Sequence, residues 1–378
     1  MIRIKLFILF CLVLLGGSKY PPGSPVLQVP EKDFFKMEGV TVTHLLENSK
    51  DSLSDNKVIE LQDQNGLTVW FGRYFFKDIC TTGICRMVRL WIFWDGTGHY
   101  LGIQLDENDP LTKSDHTPFG LQDYTRLDEI MADTVSILKD LRYEDLTVEQ
   151  KVDKEEKGIF EVDGYSSATA PSLKEYVVDD AVFTCYTLWH TVYGETKAYI
   201  DDLLKERINP GYIEHLMNGD SNQQLFALEN IRQQNKYFPE FESRILDFIT
   251  SENKDIAEKG ISLITPEYLT DLKKQPRFVG LIKDARPAVK YEIIYKMQLV
   301  DDVSPDAIIL LLDLFYAGDI SQGALNHIFR IIEKQMATDK SIRENKSIQK
   351  RLEKLASQPD PYISRLTRNF IENTSWLD

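Results

Sequence analysis

Two hydrophobic periods divide the chain. Between about residues 55 and 105, apolar positions recur at every second residue, the period of a strand. Val88, Leu90 and Ile92 alternate with Arg89, Trp91 and Phe93, so one face is aliphatic and the other carries arginine and rings. The β-rich runs 57–61 and 67–71 flank Asn65-Gly66, and the runs 87–94 and 99–105 flank Asp95-Gly96-Thr97-Gly98. Asn-Gly and Asp-Gly pairs tolerate the positive φ angles of tight hairpins. A twisted antiparallel sheet with one buried face is expected. Residues 121–140 change period: Leu127, Ile130, Met131, Val135 and Leu138 fall at helical spacing. The charged stretch 144–158 reads as a loop.

From about 196 to 373, strand signals vanish. Helical runs follow one another, broken by Pro, Gly, Asn or Asp. Apolar stripes near residues 228–231, 261–264, 293–297, 325–332 and 363–370 recur every 30–38 residues, about the length of one helical hairpin in a solenoid. Residues 220–234 and 305–317 are the clearest helices. The spacing resembles HEAT-like repeats, a stack of helix pairs sharing one elongated core; an irregular α-bundle is the alternative. The fold class expected is therefore α+β, with a small antiparallel-sheet domain and its helices over 55–195 followed by an all-α helical-hairpin repeat domain over 196–378.

The first eighteen residues are a different material. Arg3 and Lys5 precede an unbroken apolar run from Leu6 to Leu15, followed by Gly16, Gly17 and Ser18. This is the pattern of a secretory signal over 1–18; a retained N-terminal membrane anchor is the alternative. The run is too short to span a bilayer, which takes about 20 apolar residues. No later segment is long and apolar enough to cross a membrane. Residues 19–54, opening on Tyr20-Pro21-Pro22-Gly23-Ser24-Pro25, read as a linker and N-terminal extension. The expected location is periplasmic or otherwise extracytoplasmic.

Composition narrows function mostly by exclusion. The chain has 378 residues, 43% of them hydrophobic, with 59 acidic and 44 basic residues and a formal net charge of −15. That acidic balance argues against a broad nucleic-acid footprint, which needs a basic face. No GxSxG elbow, HExxH pair or Gly-Lys-Ser/Thr phosphate loop occurs.

The most specific chemistry lies at 163–172, Asp163-Gly164-Tyr165-Ser166-Ser167-Ala168-Thr169-Ala170-Pro171-Ser172. Leu173, Tyr176, Val177, Ala181, Val182, Cys185 and Leu188 then fall near one face of an expected helix, and Pro171 suits its first turn. Small residues let a backbone approach a ligand closely. A helix start offers unpaired N–H groups and positive dipole to a phosphate. Thr169 or Ser166 acting only as a helix cap is the plainer reading.

This segment resembles the attachment motif of the FMN-binding domain family, which occurs in subunits of sodium-translocating quinone reductases and in the nitrous-oxide reduction regulator. Asp163, Ser166, Ala168 and Thr169 match the family pattern as they stand, whereas Ser167 occupies a position where the family has Gly. The resemblance implies FMN joined by a phosphoester to Thr169, a flavin transferase that attaches it outside the cytoplasm, and cofactor-binding roles for Asp163, Gly164, Tyr165, Ser166, Ser167 and Ala168. Asp115-His116-Thr117-Pro118-Phe119-Gly120 loosely resembles a His-Glu-Thr-Pro-Gly stretch of some members. Trp91, Trp94, Tyr100 and Trp189 are further ring candidates, with ordinary packing as their alternative. The helical half has no counterpart in the small electron-transfer subunits and is expected to dock an unidentified redox or other protein partner. A flavin-free interaction protein is the competing function.

Cys80 and Cys85 flank Thr81-Thr82-Gly83-Ile84. In an exported protein they are disulfide candidates, with a redox-active pair or a metal site as alternatives. Cys185 reads as a buried inert thiol and His190 as a packed imidazole.

Overall fold

The computed structural model describes residues 34–47, 49–50, 53, 55–79, 87–106, 109–148, 168–169 and 171–374. It divides into two compact units, Met1–Tyr199 and Ile200–Asp378.

The first unit is built on a five-stranded antiparallel meander, β1 (Val40–Leu45), β2 (Lys57–Gln62), β3 (Thr68–Lys77), β4 (Val88–Asp95) and β5 (Tyr100–Leu105), in the order β1-β2-β3-β4-β5. The expected turns form: Gly66 and Gly98 take φ of 79° and 82°, which a side chain would disfavour. Val58, Phe71, Phe75, Leu90 and Ile92 bury one face. β1 lies within the 19–54 stretch read from sequence as linker and extension, and it pairs along its whole length with β2. The ring-bearing face is not left open either. A turn at Phe34–Lys36 lies against it, and Phe34, Leu61, Trp70 and Phe93 form a second buried cluster.

α1 (Leu121–Ala132) packs against β5 and against α2 (Val182–Val192). Two two-residue strands, β6 (Thr147–Val148) and β7 (Ala168–Thr169), pair antiparallel with Thr147 opposite Thr169. α3 (Glu195–Glu206) follows.

The second unit is helical: α4 (Pro210–Met217), α5 (Ser221–Gln233), α6 (Phe238–Ile249), α7 (Lys254–Ser262), α8 (Pro266–Leu269), α9 (Gln275–Gly280), α10 (Pro287–Leu299), α11 (Pro305–Ala317), α12 (Leu325–Thr338), α13 (Lys340–Glu344), α14 (Lys346–Ala356) and α15 (Pro361–Asn373). Start signals are local: Asp220, Asn253, Ser304, Asn345 and Asp360 each accept a backbone N–H in the first turn of the helix they precede. α5, α7, α10, α12 and α15 begin 33, 33, 38 and 36 residues apart. α5 packs on α7, α7 on α10 and α10 on α12, and Phe329 of α12 stacks on Phe370 of α15 at 4.3 Å. A second series runs α9, α11, α14. This is the helical-hairpin repeat expected from the stripe spacing, with one continuous hydrophobic core from Ile208 to Ile371. Among the described residues no helix is long and apolar enough to cross a membrane.

Candidate functional site

Of the motif, Ala168 and Thr169 belong to the described residues; Asp163, Gly164, Tyr165, Ser166 and Ser167 lie outside them, as do Cys80, Cys85 and the expected signal. Ala168 and Thr169 are extended, held in ladder register with Val148 and Thr147.

The helix expected directly after the motif is a correction. Pro171 starts only a single 3-10 turn, Pro171–Leu173, and α2 begins at Val182, behind Ala181. Local features explain the delay. Asp180 takes a left-handed φ of 55°, which a non-glycine residue enters at a cost and which ends any helix. Its carbonyl accepts the Ser114 N–H at 2.8 Å. The Val178 N–H reaches forward to Cys185 Sγ at 3.3 Å. The apolar residues Leu173, Val177, Val178, Ala181, Val182 and Cys185 are buried as their spacing suggests, through turns rather than one helix, while Tyr176 is about half exposed. Thr169 therefore does not stand at a helix mouth, and the dipole argument for a phosphate there has no helix to supply it.

α2 is held by ring donors aimed at backbone carbonyls. Trp189 Nε1 donates to Asp133 O at 2.9 Å, Tyr193 Oη to Met131 O at 2.8 Å and Tyr186 Oη to Leu141 O at 3.2 Å. His190 Nε2 lies 3.0 Å from Leu138 O, and burial pulls the imidazole below its usual range. Burial pushes the Cys185 thiol up to about 12, so it stays protonated and unreactive at neutral pH. Trp94 is fully buried and donates to Val192 O at 3.0 Å. Tyr100 donates to Asp128 at 2.9 Å. These rings have structural partners of their own. The 115–120 stretch forms the turn before α1: the Thr117 hydroxyl and N–H hold Asp115 below the usual carboxylate range, and Gly120 N–H donates to Asp123 at 2.9 Å.

The sheet also holds polar groups that the sequence reading passed over. Glu60, fully buried, accepts the Thr68 hydroxyl and pairs with His44 Nε2 at 2.8 Å. Arg73, also buried, donates through Nε and Nη2 to Asp55 O at 3.0 and 2.9 Å and through Nη1 to Thr196 Oγ1 at 2.7 Å. The signal was present in the strand period, because Arg73 sits between Phe71 and Phe75 at an inward position.

Compared with models of known families, with curated proteins and with solved structures, the chain finds no match.

Proposed function

We propose that this chain is an exported flavoprotein of electron transfer, carrying FMN through a phosphoester at Thr169 and docking a redox partner through its helical repeats. The observation that supports the reading is the run Asp163-Gly164-Tyr165-Ser166-Ser167-Ala168-Thr169, which in the sequence follows the strands β1–β5 and precedes α2. Pairing of β7 with β6 fixes the main chain at Thr169. A bound FMN would supply one- or two-electron chemistry, and the protein would supply position and surroundings. The test is expression with a flavin transferase, followed by denaturing electrophoresis viewed for flavin fluorescence. A fluorescent band is expected, and Thr169→Val should abolish it while the circular dichroism spectrum and melting temperature hold. A dark wild-type band overturns the reading.

One observation favours a second reading, an extracytoplasmic interaction protein with a flavin-free β-rich domain. The first α-helix after the motif begins only at Val182, which removes the phosphate-binding dipole from Thr169. That reading expects a colourless protein that engages its partner through residues 200–373.

A further inference from the structure

The outer face of the sheet carries more aromatic surface than a solvated face needs. Trp70 and Phe93 are buried there, with Ile59, Val69, Trp91 and Leu101 packed around them. Two glycines leave room for rings to lie close to the strands. A Cβ at Gly72 would come within 2.9 Å of the Phe93 ring, and one at Gly102, whose φ is 153°, within 3.2 Å of the Phe34 ring. Phe34 uses that room: its ring stacks on Phe93 at 4.1 Å with 23° between the planes.

Among the described residues, one polar atom in this cluster has no partner. Trp70 is 1% exposed, and its Nε1 is sealed from water without an acceptor. The buried indoles of Trp94 and Trp189 each have a carbonyl at 3.0 and 2.9 Å. A buried donor left unmatched costs free energy that an acceptor recovers, and such exceptions in native proteins call for a cause.

We propose that this face is a binding slot for a planar aromatic ring bearing a carbonyl acceptor, and that Phe34 is a plug supplied by the chain itself. The ring of the ligand replaces Phe34 on Phe93, and its carbonyl takes the Trp70 N–H. Apart from its ring, the plug is held by long bonds. It belongs to the three-residue turn Phe34–Lys36, whose closing bond from Met37 N to Phe34 O is 3.4 Å, and Phe34 N reaches Gln104 Oε1 at 3.3 Å, both at the long end for hydrogen bonds. Phe35, 47% exposed, meets Trp70, Trp91 and Phe93 edge-on at 5.9, 5.1 and 5.6 Å and forms the rim. The slot requires neither Thr169 nor FMN, so it stands or falls apart from the flavin reading. The competing account leaves the N–H against ring faces, since Trp70 meets Phe93 at 88° and 5.2 Å.

The test uses the full chain with ¹⁵N-labelled tryptophan. Chromone, a bicyclic aromatic ketone, is titrated against naphthalene, which has similar size and no acceptor. The Trp70 indole resonance is assigned by its loss in Trp70→Phe. Chromone should move that proton downfield saturably and naphthalene should not. Phe34→Ala, by emptying the slot, should tighten chromone about tenfold or more, and Trp70→Phe should erase the preference for chromone. If Phe34→Ala does not fold, the wild-type titration and Trp70→Phe still decide. A Trp70 proton unmoved by chromone up to its solubility limit, or equal binding of both probes to wild type, overturns the proposal.

Discussion

The two units bury different kinds of polar group. Among the described residues of the sheet unit, the buried side chains that can carry a formal charge at neutral pH are Glu60 and Arg73. Among the described residues of the helical unit, the buried polar side chains are Asn230, Gln275, Ser304, Gln335 and Thr367, none of them ionisable. Two of these do related work. Gln275 accepts the Ser304 N–H at 2.7 Å and donates to Leu269 O and Asp302 O at 2.8 and 2.7 Å. Gln335 accepts the Val303 N–H at 3.0 Å and donates to Asp301 O at 2.7 Å. Both amides therefore grip the loop between α10 and α11. A repeat needs its connecting loops held in register, and an amide can donate and accept at modest desolvation cost. Burying charge costs several kcal/mol per ion before partners offset it, so the sheet unit depends on the partners of these two side chains. The difference teaches where each unit is fragile: the sheet at two buried charges on neighbouring strands, the stack at neutral clamps on a connecting loop.

The largest effect expected from this contrast is at Arg73. Arg73→Met keeps the stem but strips donors from Asp55 O and Thr196, and should cost the first unit about 2–5 kcal/mol, at about 1–3 kcal/mol for each buried group left without its donor. Urea denaturation followed by tryptophan fluorescence reads it, in a Trp376→Phe background, since four of the five tryptophans, Trp70, Trp91, Trp94 and Trp189, belong to that unit. A loss below about 1 kcal/mol, the range of exposed ion pairs, would break the comparison. Gln275→Leu should cost about 1–3 kcal/mol, because it leaves the buried Ser304 N–H and two carbonyls without their partner. Combined with Gln335→Leu, the losses should depart from additivity, since both side chains hold one loop; strict additivity would mean that the two clamps act separately.

The smallest effect is on the surface of the stack. Hydrogen bonds from Arg232 first, then from Lys259 and Gln233, hold the Glu229 carboxyl down from 4.5 to about 2. A carboxylate lowered on folding stabilises the fold above its unfolded value, and that share is lost as pH falls from 4.5 through about 2. Because Glu229 is partly solvated, the share should be under about 1 kcal/mol. Glu229→Gln should flatten that part of the acid limb in a pH series of chemical denaturation; an unchanged limb would assign it to other carboxylates.

Much of the fold was legible because its signals are local. Asn65-Gly66 and Asp95–Gly98 mark the hairpins, and Asp220 and Pro305 mark helix starts in the sequence itself. β1 was harder: Val40-Thr41-Val42-Thr43-His44-Leu45 alternates, but no tight turn signal joins it to β2. The helix expected from Pro171 fails for a different reason. Apolar spacing says which side chains are buried, and turns around Asp180 can bury the same ones. The outer aromatic cluster depends on Phe34 returning to β4 across about 60 residues, a contact that no local pattern encodes. Of the candidate site, the sequence shows the motif, while the late start of α2 comes only from the structure.

The flavin reading turns on one mass. Intact-protein mass spectrometry of the chain expressed with a flavin transferase should show an increase of a single esterified FMN, located by peptide mapping to Thr169 and absent from Thr169→Val. An unmodified mass in the wild-type chain, with the transferase shown to be active on another substrate, would contradict it.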